Sequence, residues 1–129
     1  MYDLVGVLSE ETLAELQGML PQAKWETHIS EVTSHQAAPC EVPRELKPLG
    51  ERASFLRLRA GDNLYRHHDT GFGYNIPIET NDQCLSLSYK DGRLEQHLEV
   101  GKIYHCDRSI EHESLNNGKT NRTHLVIMI

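Results

Sequence analysis

The run Tyr65-Arg66-His67-His68-Asp69 sets two histidines beside an aspartate. In an extended chain residues two apart share a face, so His67 and Asp69 project together while His68 points away. An imidazole and a carboxylate side by side supply two ligands of a facial triad. A second histidine from a distant strand completes such a site and leaves open positions on a non-haem Fe(II). An H-x-D is common in polar loops, and the rest of the chain is what gives this one weight. The segment Ile110-Glu111-His112-Glu113-Ser114-Leu115-Asn116-Asn117 offers a distal histidine, His112. Further on, Arg122 heads Arg122-Thr123-His124-Leu125-Val126, and its planar fork is a natural partner for a carboxylate.

These groups need elements to hold them. Ser9 is placed to cap a helix over about residues 9–20, with Glu10 and Glu11 at its positive end and Leu13, Leu16 and Leu20 at helical spacing. Pro21 marks its end. Residues 25–33 read as a strand, and 36–50, with Pro39, Pro43, Pro48 and Gly50, as a loop with one helical turn begun by Pro43. From residue 52 short strands follow one another: Phe55–Arg59, Tyr74–Ile78, Cys84–Tyr89, Leu94–Leu98, Ile103–Cys106 and Thr123–Ile129, punctuated by turn signals such as Asp91-Gly92 and Asn117-Gly118. This grammar predicts a mostly β protein of sandwich or jelly-roll type, with the helix packed outside.

Composition excludes several classes of function. A chain of 129 residues is long enough for one domain and one core without disulfide staples. Nineteen acids against thirteen bases give a net charge of −6, and no basic cluster exceeds the scattered Arg57, Arg59 and Arg66, so nucleic acid is not an expected partner. The longest apolar run, Leu125–Ile129, is far short of a membrane span, and Met1–Leu8 lacks a basic leader, so the expected location is the cytoplasm. Cys40, Cys84 and Cys106 form no CxxC pair and read as structural thiols. His28, His35 and His97 read as surface or loop residues, and His105-Cys106 as strand packing rather than a second metal site. Trp25 reads as a core anchor, and Asn116 as a residue that closes a turn after His112.

Four segments, in order, resemble the aspartyl/asparaginyl β-hydroxylase-like branch of the Fe(II)/2-oxoglutarate dioxygenases: FLRLRAGDNLYRHHD, IPIETN, LEVGKIYHCDRSIEHESLNN and RTHLVIM, spanning about Phe55 to Ile129. The resemblance implies a double-stranded β-helix, a cupin-like jelly roll, with the barrel in residues 52–129 and a helix and pocket-shaping segment in 1–50. It implies His67, Asp69 and His112 as ligands and catalytic centre of Fe(II), and Arg122 as the anchor for the distal carboxylate of 2-oxoglutarate. Where members of this family often carry Arg and His just before the I-P-I stretch, this chain has Gly73 and Asn75, which leaves the Asn75 amide as the candidate for the oxalyl end of 2-oxoglutarate. His124 shares a face with Arg122, either near that cosubstrate or as a hydrogen-bonded core histidine. The implied activity is hydroxylation of an amino acid, a small molecule or part of a peptide, by O2, with succinate and CO2 as coproducts. Two other readings stay open: a cupin-type iron enzyme that does not use 2-oxoglutarate, and a non-catalytic small-ligand or metal-binding module.

Overall fold

The computed structural model describes residues 2–129. Helix α1 spans Glu10–Met19; Ser9 Oγ accepts from the Thr12 amide at 3.2 Å, and Glu10 and Glu11 occupy the first turn. A 3₁₀ turn, Leu20–Gln22, carries Pro21 and ends the helix as expected. Eleven strands make up the rest: β1 Tyr2–Val7, β2 Glu26–Ile29, β3 Thr33–Cys40, β4 Arg52–Leu58, β5 Asn63–His67 and β6 Phe72–Glu79. They continue with β7 Cys84–Ser88, β8 Leu94–Gln96, β9 Lys102–Asp107, β10 His112–Asn116 and β11 Arg122–Met128. Gly92, with φ +109°, turns the β7–β8 hairpin where Asp91-Gly92 signalled it. Among the described residues, no helix is long and apolar enough to cross a membrane.

The strands hydrogen-bond in the order β1-β9-β6-β11-β4-β3-β5-β10-β7-β8, with β2 added beside β3, and all their pairings are antiparallel. The two ends of this path meet. The Gln96 side-chain amide of β8 accepts from the Tyr2 amide at 3.1 Å and donates to the Tyr2 carbonyl at 2.9 Å, joining β8 to β1. The result is the double-stranded β-helix, mostly β with one helix, that the sequence led us to expect.

The two-residue period of the strands sorts apolar from chemical residues. On β11, Leu125 and Ile127 face outward and are wholly buried with Phe55, Ile76, Ile78 and Ala38 beneath Leu8, Leu16, Leu20 and Leu46 of the N-terminal half. Arg122, His124 and Val126 alternate with them and line the interior cavity. The main apolar core therefore lies outside the barrel, under the helix stripe, and the interior is left for polar groups.

Several elements differ from the sequence reading: the strand read over 25–33 stops at Ile29 and the chain bends over 30–32, and β5 and β10 were not among the strands expected. Residues 36–40, read as loop, continue β3 as far as Cys40, with Pro39 opposite Ser54 of β4. Pro39 is tolerated because β2 pairs only as far as Ala37, so one edge of β3 is open there. The helical turn that follows Pro43 is present as a 3₁₀ helix, Arg44–Leu49. Strand β1, which the sequence reading did not include, owes its place to a distant partner, β9, with Tyr2 opposite Cys106.

Candidate active site

His67 is the last residue of β5 and His112 the first of β10, and the two are register partners, with ring centroids 4.5 Å apart. Asp69 lies two residues past the end of β5, not on the strand. Its amide donates to the Arg108 carbonyl at 2.8 Å, and the Arg108 amide donates to Gly71 at 3.0 Å, so the loop is fastened over the end of β9. This brings the Asp69 carboxylate to 3.6 Å from His67 Nε2. One ligand atom from each of His67, Asp69 and His112 lies within 4.8 Å of the others. His68 is exposed. The three groups converge as the spacing suggested, although a backbone-locked loop rather than a continuing strand does the work for Asp69.

Both imidazoles are held by backbone carbonyls. His67 Nδ1 lies 2.5 Å from the Tyr65 carbonyl, and His112 Nδ1 lies 2.7 Å from that of Ile110. A carbonyl only accepts, so each Nδ1 carries the proton and each Nε2 lone pair is free to ligate. Burial, the largest influence, lowers the His112 pKa, with the neighbouring His67 adding to it, so this ring is neutral near pH 7.

The same cavity, of about 240 Å³, has a cationic end. Arg122 is 4 % exposed, and burial pulls its pKa down to about 10, which keeps it charged at neutral pH. Its Nη2 donates to His124 Nδ1 at 2.9 Å. Since arginine only donates, that nitrogen is an acceptor; burial first, then the Arg122 charge, hold the His124 pKa well below its ordinary value. Asn75 Nδ2 donates to Cys106 Sγ at 3.3 Å, and its Oδ1 lies 3.2 Å from His124 Nδ1, where it faces a second acceptor while Nδ1 accepts from Arg122. His124 is thus both things at once, a hydrogen-bonded buried histidine and part of the cavity wall. Arg122 Nη1 is buried and has no hydrogen-bond partner among the described residues. A buried cationic donor without an acceptor fits an anion, and two histidines with one carboxylate fit a facial-triad metal such as Fe(II).

Tyr2 and Arg108, which the sequence did not single out, line the cavity, and His35, read as a surface or loop residue, is half-buried on β3 and lines it too. His35, on β3, hydrogen-bonds Thr33 and stacks on His28 with centroids 5.0 Å apart. Arg108 Nη2 stands 3.4 Å from Asp69, and its stem crosses Gly73, where an added Cβ would come within 3.3 Å of Arg108 Cδ and 2.9 Å of the Ile127 carbonyl. Gly73 is therefore a required close approach. Cys106 lines the cavity while His105 packs between Phe72 and Tyr74, at 5.4 and 5.3 Å, in keeping with strand packing. Trp25 packs against the outer core, 6.2 Å from Phe55 and 3.9 Å beneath the Arg57 guanidinium.

A family model described as aspartyl/asparaginyl beta-hydroxylase matches residues 22–129, beginning well before the motifs that carried the resemblance. No curated protein sequence gives a significant match. Similar solved structures include an oxidoreductase of the 2OG-Fe(II) oxygenase family from Burkholderia pseudomallei, with TM-score 0.75 and 14 % identity over 92 % of this chain and 78 % of that one. A prolyl-4-hydroxylase from Pseudomonas putida aligns with TM-score 0.75 and 13 % identity, over 97 % of this chain and 89 % of its own. The CENP-C cupin domain of Drosophila melanogaster aligns with TM-score 0.60 and 8 % identity, over 94 % and 99 %. At these identities the likeness is one of fold, the cupin-like jelly roll.

Proposed function

The chain belongs to the aspartyl/asparaginyl β-hydroxylase family, and from that premise we propose that it is an Fe(II)- and 2-oxoglutarate-dependent hydroxylase. Its substrate is an amino acid, free or within a peptide, and its coproducts are succinate and CO2. The observation that carries this reading is Arg122 Nη1, a buried cationic donor with no partner, in the same cavity as a His-Asp-His cluster.

His67, Asp69 and His112 would hold the metal on one face, with the two Nδ1–carbonyl bonds fixing ring orientation. Bound Fe(II), with 2-oxoglutarate and O2, supplies the oxidising power needed to hydroxylate an unactivated C–H bond. Arg122 receives the distal carboxylate of 2-oxoglutarate. His124, kept neutral and accepting from Arg122, orients the guanidinium without competing for the anion. Asn75 lines the same cavity and would be the contact for the oxalyl end. Leu56, Leu64 and Val126 supply an apolar wall that limits water near the reacting atoms.

The test is succinate release from 2-oxoglutarate by the Fe(II)-loaded protein in air, without added substrate. Slow uncoupled release is expected from the wild type and none from Arg122→Ala. A wild type that neither binds 2-oxoglutarate nor forms succinate would make the protein a cupin that does not use this cosubstrate.

A further inference from the structure

We propose that Tyr2 is a ligand-binding residue of this site, its phenol donating a hydrogen bond to the carboxylate that Arg122 holds. The inference rests on the 2-oxoglutarate reading above and adds a residue from β1, which lies outside the family-matched segment 22–129.

A carboxylate held by one arginine has acceptor capacity to spare. A carboxylate presents two oxygens with about four lone-pair sites, and the planar fork of an arginine takes two of them. Here one N–H of Nη2 goes to His124 at 2.9 Å, and Nη1 is the buried nitrogen without a partner among the described residues. An anion held here by Arg122 keeps lone pairs that a donor from another residue can take. Tyr2 lines the same cavity as Arg122 and Ser114. It is 8 % exposed, its ring is clustered with Leu98, Tyr104 and Cys106, and its hydroxyl faces Ser86 and Ser114 within the field of Arg122.

The position is built, not incidental. Tyr2 sits opposite Cys106 on β9, and Gln96 clamps both its backbone amide and its carbonyl. These are the contacts that join the ends of the strand path, so barrel closure and placement of the phenol are one event. Burial raises the phenol pKa above 10.0, so it stays protonated and can donate across the physiological range. With serine hydroxyls as neighbours it accepts from one of them and gives its own proton to the carboxylate.

The experiment compares two probes on the full chain loaded with Fe(II) under anaerobic conditions. 2-Oxoglutarate carries the distal carboxylate; oxalate can chelate the metal and carries none. Tyr2→Phe removes one oxygen and keeps the ring packing. A hydrogen bond to a charged group corresponds to roughly a tenfold or greater change in affinity. Calorimetric titration of Tyr2→Phe is expected to show 2-oxoglutarate affinity down about tenfold, with Fe(II) and oxalate affinities within about twofold of wild type. If the phenylalanine protein does not fold, Tyr2→Leu, which also lacks the hydroxyl, is expected to show the same selective loss. Unchanged 2-oxoglutarate affinity, or an equal fall for both probes, would overturn the role of Tyr2 and leave the proposed activity standing. A wild type that binds oxalate but not 2-oxoglutarate would overturn that activity itself.

Discussion

Replacing Arg122 with Met separates the two consequences of burying an unpaired guanidinium. Methionine keeps an unbranched stem and removes the charge. In the free protein the guanidinium is 4 % exposed with Nη1 lacking a partner, so its desolvation is incompletely offset. Apolar replacement of buried charge is often neutral or stabilising, and His124 Nδ1, no longer accepting from Arg122, can carry the ring proton and donate it to Asn75 Oδ1 at 3.2 Å, so Arg122→Met should hold ligand-free stability within about 1 kcal/mol of wild type. The loss appears on binding. A hydrogen bond to a charged group contributes about 1.5–3 kcal/mol, so 2-oxoglutarate should bind roughly 10- to 150-fold more weakly. Thermal melts of the Fe(II)-loaded proteins under anaerobic conditions measure both effects. At a 2-oxoglutarate concentration about 100 times the wild-type Kd, the ligand stabilises wild type by about 2.7 kcal/mol, and a tenfold weaker variant by only about 1.4 kcal/mol. Equal ligand-induced shifts would refute the placement of the carboxylate on Arg122. A ligand-free variant destabilised by more than about 3 kcal/mol would show instead that the guanidinium is a structural group.

Alanine at His67, Asp69 or His112 should abolish tight Fe(II) binding in equilibrium dialysis, while His68→Ala, altering an exposed side chain outside the cluster, should leave it intact. The ligand-free protein should lose stability as pH falls below about 6.5, because buried His124 and half-buried His112 and His35 have lowered pKa values and the unfolded chain takes up more protons there. Urea midpoints at pH 7.5 and 5.5 check this; a drop that is no smaller in His124→Gln would remove His124 from the explanation. Asn116→Ala should cost about 2–4 kcal/mol in urea unfolding. Its buried amide donates to the Leu58 and Thr120 carbonyls, each at 2.8 Å, and accepts from Gly118 N at 3.0 Å, tying down the turn that leads into Arg122.

The His-Asp-His cluster and the arginine beside it were legible because their types are informative: an H-x-D, a distant histidine and a strand-borne arginine have few apolar uses. Asp69 was placed correctly for an incomplete reason, since β5 ends at His67 and the Arg108 and Gly71 backbone turns the carboxylate inward. Asn116 closes its turn as its position suggested. Tyr2, His35 and Arg108 were not legible. Each reaches the cavity through pairing between segments remote in sequence, β1 with β9, β3 with β4 and β5, and the Asp69 loop with the end of β9. A short strand has little intrinsic preference to announce it, so a residue such as His35 in a Pro- and Ala-containing stretch looks like loop until its partner is known.

The central claim is that one cavity brings a His-Asp-His metal face and the Arg122 anion anchor together for a single bridging ligand. Anaerobic titration of the Fe(II)-loaded protein with 2-oxoglutarate, followed in the visible, tests it most directly. A weak charge-transfer band that saturates at one equivalent, is absent in His112→Ala, and needs at least tenfold more 2-oxoglutarate in Arg122→Met is the expected result. Iron that binds to the wild type yet gives no band at saturating 2-oxoglutarate would contradict the account.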